Sequence, residues 1–207
     1  MATAANMPAQ PIVGNVSPQD KILYVANKLG LSSLKYMQAT TRCVYDSVDY
    51  DQAGSPAVTL FEGATSRSFP VTNLDSGGNR FEVNEALLVE KIAFFSLADD
   101  GNISNISNQF GTGMSVKFDL IIGNKTVMKD CVVETGGMDA FYSDGAAQSS
   151  SLNLEGVGIL IPPQVEFKVV AKGFVTDTRA ESPAQDQLNL GCYLYGTGVL
   201  LNFNTSI

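Results

Sequence analysis

Ser115-Val116-Lys117-Phe118-Asp119-Leu120-Ile121-Ile122, followed by Gly123-Asn124 and a second apolar run from Thr126 to Glu134, is the stretch on which the fold turns. Val116, Phe118, Leu120 and Ile122 alternate with Ser115, Lys117 and Asp119, the period-two pattern of a half-buried strand. Gly123-Asn124 supplies a tight reversal, because both residues tolerate positive φ, so the two runs read as a β-hairpin.

The same grammar extends in both directions. Strands are expected at Arg42 to Val48, Ala57 to Phe61, Arg67 to Val71, Phe81 to Val83 and Ala86 to Leu97. Further strands are expected at Leu152 to Ile161, Val165 to Thr176 and Leu188 to Phe203. Asp75 to Asn79, Asp99 to Asn102 and Thr135-Gly136-Gly137 carry turn residues between them. Many strands at such spacing, with no strand–helix alternation, predict an all-β antiparallel sandwich. No fixed-period repeat suggests a propeller or solenoid.

Only the N-terminal part departs from this pattern. Residues 1–16 are rich in Ala, Pro, Asn and Gln and read as an extended arm. Residues 17–30 read as one short helix, with Ser17 as N-cap, Pro18 in the first turn and Gly30 as stop. Ile22, Leu23, Ala26 and Leu29 recur at helical spacing. Residues 31–207 then form a single sandwich domain, a length such domains commonly reach.

Composition narrows the function. The net charge is −8 and the 13 basic residues are scattered, so neither nucleic acid nor a polybasic membrane contact is expected. No segment approaches the roughly 18 apolar residues of a spanning helix. The N-terminus carries no visible secretory signal, so synthesis as a soluble intracellular chain, or processing ahead of this sequence, is expected. Charged residues make up only 16% of the chain, against about a quarter in an ordinary soluble domain. A surface so poor in charge suits a protein partly covered by other subunits. Cys43, Cys131 and Cys192 are far apart in strand-like runs and read as buried free thiols.

Catalysis is not expected. The chain has no histidine, which removes the usual general base and the commonest zinc ligand. Carboxylate pairs for glycoside hydrolysis exist on paper around Asp46, Asp49 and Asp51, or Glu82, Glu85 and Glu90, but tryptophan to stack a sugar is absent. No cofactor is expected. A calcium ion is the one metal with candidate ligands, Asp99, Asp100 and Asn102 or the stretch from Asp46 to Asp51, hard oxygens in or near loops that lack EF-hand spacing. Phe141-Tyr142, an aromatic pair in a Gly- and Ser-rich segment, is a candidate partner contact. Tyr193 and Tyr195 read as sharing one face of the last strand.

Phe81-Glu82-Val83-Asn84-Glu85-Ala86-Leu87-Leu88-Val89-Glu90-Lys91-Ile92 resembles the early strands of a viral jelly roll. Gly158-Ile159-Leu160-Ile161-Pro162-Pro163-Gln164-Val165-Glu166-Phe167-Lys168-Val169 resembles a strand–Pro-Pro–strand junction of such proteins. Leu194-Tyr195-Gly196-Thr197-Gly198-Val199-Leu200-Leu201 is similar to a closing jelly-roll strand. The likeness covers residues 80 to 207 and points to jelly-roll bacteriophage virion proteins. It implies self-assembly into a homo-oligomer, contact with other virion proteins, and location in the virion after synthesis in the host cytoplasm. It also implies an arm that reaches a neighbour, here through Met7, Pro8, Pro11 and Ile12. The expected function is thus a capsid, capsid-decorating or vertex component. The alternative is a fibre, adhesin or carbohydrate-binding sandwich module, calcium-dependent if Asp99 to Asn102 binds the ion.

Overall fold

The structure is a computed structural model that describes residues 16–31, 37–50, 57–62, 71–74, 79–97, 113–136, 151–154, 158–176 and 188–201. Helix α1 spans Pro18–Leu29. The strands are β1 (Met37–Tyr50), β2 (Val58–Leu60), β3 (Glu85–Leu97), β4 (Gly113–Ile122), β5 (Lys125–Gly136), β6 (Ser151–Asn153), β7 (Ile159–Ile161), β8 (Phe167–Thr176) and β9 (Leu188–Leu201). Every pairing is antiparallel.

Two sheets form. Sheet A has the order β1-β9-β3-β6, with β7 on the same side of β3 as β6 in strand sequence; sheet B has the order β2-β8-β4-β5. Because β6 pairs with 91–93 and β7 with 87–89, the two short strands occupy one strand position along β3. The all-β sandwich expected from periodicity is what forms. Its core lies between the sheets: Val44, Leu87, Val89, Ile92, Phe94, Cys192 and Leu194 from sheet A meet Leu60, Val116, Phe118, Leu120, Phe167 and Val169 from sheet B. Phe94 and Phe118 touch across the layers with ring centroids 5.1 Å apart, and Phe81 stacks on Phe167 at 5.3 Å. Close-packed aromatic and aliphatic burial of this kind is the main favourable term in folding.

The hairpin forms as read. Ile122 pairs with Lys125 across Gly123-Asn124, and Gly123 has φ of +56°. The helix also forms, with Ser17 Oγ accepting from the Asp20 backbone N–H at 3.2 Å and Gly30 closing it in the left-handed region. Among the described residues no helix is long and apolar enough to cross a membrane.

Three expectations are corrected. Phe81 to Val83 is not a strand, because the segment turns: the Glu85 N–H donates to the Glu82 carbonyl, and Phe81 O accepts from both the Gln164 N–H and its side-chain amide. Leu152 to Ile161 is not one strand but two, β6 and β7, with 154–158 between them where β3 has only Glu90. Of the cysteines, which are all free, Cys192 is buried as expected, but Cys43 and Cys131 are only half-buried. Of the strand expected at Arg67 to Val71, all but Val71, which sits in a turn, lies outside the described residues.

Candidate functional site

Two outer faces remain once the core is assigned. On sheet A, α1 lies across the lower half. Val25, with Tyr24 and Leu29, packs on Ala86, Leu88, Val199 and Leu201, which point away from the main core. The sequence explains why β3 can serve both sides. Leu87 and Val89 face inward and Ala86 and Leu88 outward, as alternation requires.

At Glu90 the register slips. Val89 pairs with Gly196 and Lys91 with Tyr195, leaving Glu90 as the extra residue of a β-bulge. The inward series therefore continues at Ile92 and Phe94. The bulge aims the Glu90 carboxylate at the helix, where it pairs with Lys21 Nζ at 2.8 Å and accepts from Thr197 Oγ1 at 2.7 Å. Its backbone carbonyl accepts from the Leu154 N–H at 2.8 Å. Lys21 stands one turn after Ser17, so the chain enters α1 over the middle of this face.

The upper half of the face is aromatic. Tyr45 and Tyr193 meet at 5.7 Å with a 58° tilt, and Tyr195, beside them on β9, is 42% exposed. Cys43 neighbours Tyr45 along the strand; burial raises both groups above their ordinary pKa values. The edge of β1 is covered at Tyr45 to Ser47 by 71–74, through the Asn73 and Thr72 side chains and the Ser47 N–H to Val71 O bond. From Met37 to Arg42 that edge has no strand partner among the described residues.

On sheet B the outer face is built around Asp119 in β4. Register shifts flank it, two against β5 and one against β8. Asp130, held at φ of +53°, donates its backbone N–H to Asp119 Oδ1 at 2.7 Å. Lys172 Nζ lies 2.6 Å from Asp119 Oδ2 and 3.0 Å from Asp130 Oδ1, and Lys117 Nζ lies 3.2 Å from Asp130 Oδ1. Burial alone would raise the Asp119 pKa, but the Asp130 N–H and Lys172 outweigh it and hold the carboxyl below its ordinary value. Lys172, then Lys117, lower Asp130, and the two carboxylates raise Lys172. This cluster pins two bulges; its partners satisfy one another, which is a structural arrangement more than a reactive one.

Of the carboxylates considered for catalysis, Glu85, Glu90 and Asp46 are engaged in structure, Glu82 is exposed, and Asp51 and the side chain of Asp49 lie outside what the structure describes. Glu85 pairs with Arg42 at 2.8 Å on the rim of the core, beneath Phe81, whose ring the guanidinium covers at 4.9 Å. Glu90 is held by Lys21 and Thr197, and Asp46 points inward and accepts from the Phe61 N–H at 2.6 Å. Among the described residues no group of three His, Cys, Asp or Glu side chains is arranged to hold a metal ion.

Asp99, Asp100 and Asn102, the calcium candidates, lie outside the described residues, as do Phe141, Tyr142, Met7, Pro8, Pro11 and Ile12. Tyr193 and Tyr195 do share one face, and that face is the outer one of sheet A. What sequence reading missed is the structural role of Glu90, named only as a carboxylate, and of Asp119, named only as an alternating polar residue. A signal for Glu90 was present: the inward positions run 87, 89, 92, 94, a step of three where two is the rule. Asp119 had none, since a lone Asp in an alternating strand reads as solvent-facing. No protein-family model, curated protein or solved structure matches the chain.

Proposed function

We propose that the chain is a jelly-roll structural protein of a virion, a capsid, capsid-decorating or vertex component that acts by assembling with copies of itself. The observation that carries this reading is the strand order. Counting β6 and β7 as one position, eight positions divide into β1-β9-β3-β6/β7 and β2-β8-β4-β5. Except for the β4–β5 hairpin inside sheet B, successive positions alternate between the sheets, as in two Greek keys folded into a jelly roll. The step from that order to a virion role is an analogy of fold.

Two further observations support assembly. The edge of β1 from Met37 to Arg42, which has no strand partner among the described residues, offers backbone groups to an added strand. Leu23, Val132 and Tyr195 are large apolar or aromatic side chains left exposed on α1, β5 and β9. In this reading the N-terminal arm, residues 1–16 with Met7, Pro8, Pro11 and Ile12, adds to a neighbour's sheet edge, and Phe141-Tyr142 joins a subunit contact.

The test is the mass of the full chain by light scattering, with electron microscopy of the same sample. Trimers, pentamers or closed shells are expected. A monomer across the accessible concentration range would sink the reading and move attention to a monomeric binding module, screened with calcium and glycans.

A further inference from the structure

The edges of the two sheets are not alike. Sheet B ends on one side in β2, three residues long, and on the other in β5. The β5 ladder with β4 is broken at two places, Asp130 sits there in the left-handed region, and Lys125 and Lys129 are exposed along it. Sheet A ends on one side in β6 and β7, three residues each, with Pro162-Pro163 directly after β7. Short strands, bulges, lysines and prolines are the devices that keep sheet edges from pairing. The remaining edge, β1, has none of them. It runs for 14 residues in unbroken register with β9, and Met37 to Thr41 contain no charge, glycine or proline. The charge that follows, Arg42, is paired with Glu85 and lies over the Phe81 ring.

The contacts with 71–74 fix which backbone groups of β1 point outward. That segment takes the Tyr45 and Ser47 N–H groups and the Cys43 and Tyr45 carbonyls, so odd-numbered residues turn their backbone groups away from β9. Regular pairing carries the rule down the strand. The N–H and C=O of Met37, Ala39 and Thr41 face outward, and those of Gln38 and Thr40 face β9. Asn73 shows that this edge accepts a peptide-like group. Its side-chain amide receives the Tyr45 N–H on Oδ1 and donates from Nδ2 to the Cys43 carbonyl, both at 2.8 Å, as a neighbouring strand does. The amide also marks where the covered part stops. Below it, residues 37–42 have no strand partner among the described residues.

We infer that this edge pairs with the same edge of a second copy, antiparallel about a two-fold axis through Thr40, so that two copies of sheet A join into one continuous sheet. The inference rests on the assembly reading and names a subunit contact for it. A two-fold contact must be self-complementary, and this strand meets that condition. Centred on Thr40, the pairing sets Ala39 opposite Thr41 of the second copy and Thr41 opposite its Ala39, and both pairs exchange backbone hydrogen bonds. On the other face Thr40 meets its own counterpart and Gln38 meets Arg42, so no like charges stand opposite and strand-favouring threonines lie at the axis. Centring the pairing one residue higher sets Met37 against Tyr45, where Asn73 already sits, and centring it lower shortens the ladder. The second β1 is favoured as occupant because it is a strand already held by β9, so pairing fixes no further backbone. One edge takes one strand, so an N-terminal arm added here and a second β1 exclude each other.

The test uses the full chain. Thr41→Pro removes one outward N–H and leaves the β9 ladder whole, the setting in which an edge strand tolerates proline. Thr41→Lys blocks the edge by charge and serves where the proline disturbs folding. Thr126→Lys, at an exposed position of β5, is the control. Light scattering is expected to show the Thr41 variants associating about tenfold or more weakly than the wild type, with the control within about threefold and melting unchanged in all. Thr40→Cys tests the register, since Cα atoms of a non-hydrogen-bonded pair lie about 4.5 Å apart, within disulfide range. Under copper–phenanthroline oxidation this variant is expected to give a covalent dimer, whereas the wild type and Gln38→Cys do not. Thr41 variants that assemble like the wild type overturn the inference and leave the assembly reading standing. A Thr40→Cys chain that assembles without cross-linking overturns the two-fold register. Association lost on removing residues 1–15 gives the edge to the arm and overturns the second β1 as occupant. A wild type that is monomeric throughout overturns both the inference and the assembly reading.

Discussion

A Cβ placed on Gly196 would lie 1.9 Å from the Leu88 carbonyl oxygen and 2.9 Å from the Glu90 nitrogen. Both atoms are backbone, so no rotamer change relieves the clash, and the β3 bulge would have to move. Gly196→Ala is expected to cost about 3 kcal/mol, the upper end for overpacking. Gly30→Ala meets no atom within 4 Å and suffers only its left-handed φ, a cost of about 1 kcal/mol. Urea midpoints of the two variants should fall in that order. Asp119 presents a titratable counterpart. Its folded pKa is lowered, so its contribution is present above the unfolded value near 3.9 and is lost as pH falls through the folded one. Lys172 is raised, so its contribution is complete below about 10.4 and is lost as pH rises through its folded value. Asp119→Ala also removes the acceptor for the Asp130 N–H, an expected loss of about 1–3 kcal/mol. The stability gap between wild type and Asp119→Ala should be widest between about pH 4 and pH 10 and narrow on both sides. A gap that does not change with pH would remove the ionic part of this account.

Helix α1 shows which force holds an element in place. The Lys21–Glu90 pair is about a quarter exposed on each side, a setting in which ion pairs contribute about 0.2–1 kcal/mol. Val25 and Ala26 are buried, and a 12-residue helix is marginal without tertiary packing. Burial therefore dominates. Lys21→Met should leave α1 docked, with amide exchange slowed nearly as in the wild type. Val25→Asp buries an unpaired charge, and the expected response is detachment, seen as fast exchange in α1 while β3 and β9 stay protected. Equal exchange in the two variants would reverse the ranking. The same helix was fully legible in sequence, because Ser17, Pro18 and Gly30 act through local geometry. So was the β4–β5 hairpin, since Gly123-Asn124 carries its own turn. The split of Leu152 to Ile161 was not legible, because it answers to the Glu90 bulge in a strand some 60 residues earlier. Phe81 to Val83 misled for a related reason: its β-favouring side chains are overruled by Gln164, which captures the Phe81 carbonyl across the end of the sandwich.

At the scale of the molecule, alternation in each strand was enough to give the sandwich but not its surface chemistry. Which face of β9 the tyrosines occupy depends on where the second sheet lies. The grouping of five lysines on sheet B depends on β4, β5 and β8 being neighbours, and β8 lies more than 30 residues beyond β5. The arm contact argued above can be tested by deletion. Removing residues 1–15 keeps Ser17 and its cap on α1, so the fold should retain its melting temperature and its α1 protection. If the arm latches onto the Met37 to Arg42 edge of a neighbour, association of the truncated chain should weaken by about tenfold or more, since several backbone hydrogen bonds are lost together. That loss should persist at about 1 M NaCl, because strand addition does not depend on screened charges. Size-exclusion chromatography of the truncated chain at low and high salt checks this, and assembly unchanged by truncation would remove the latch.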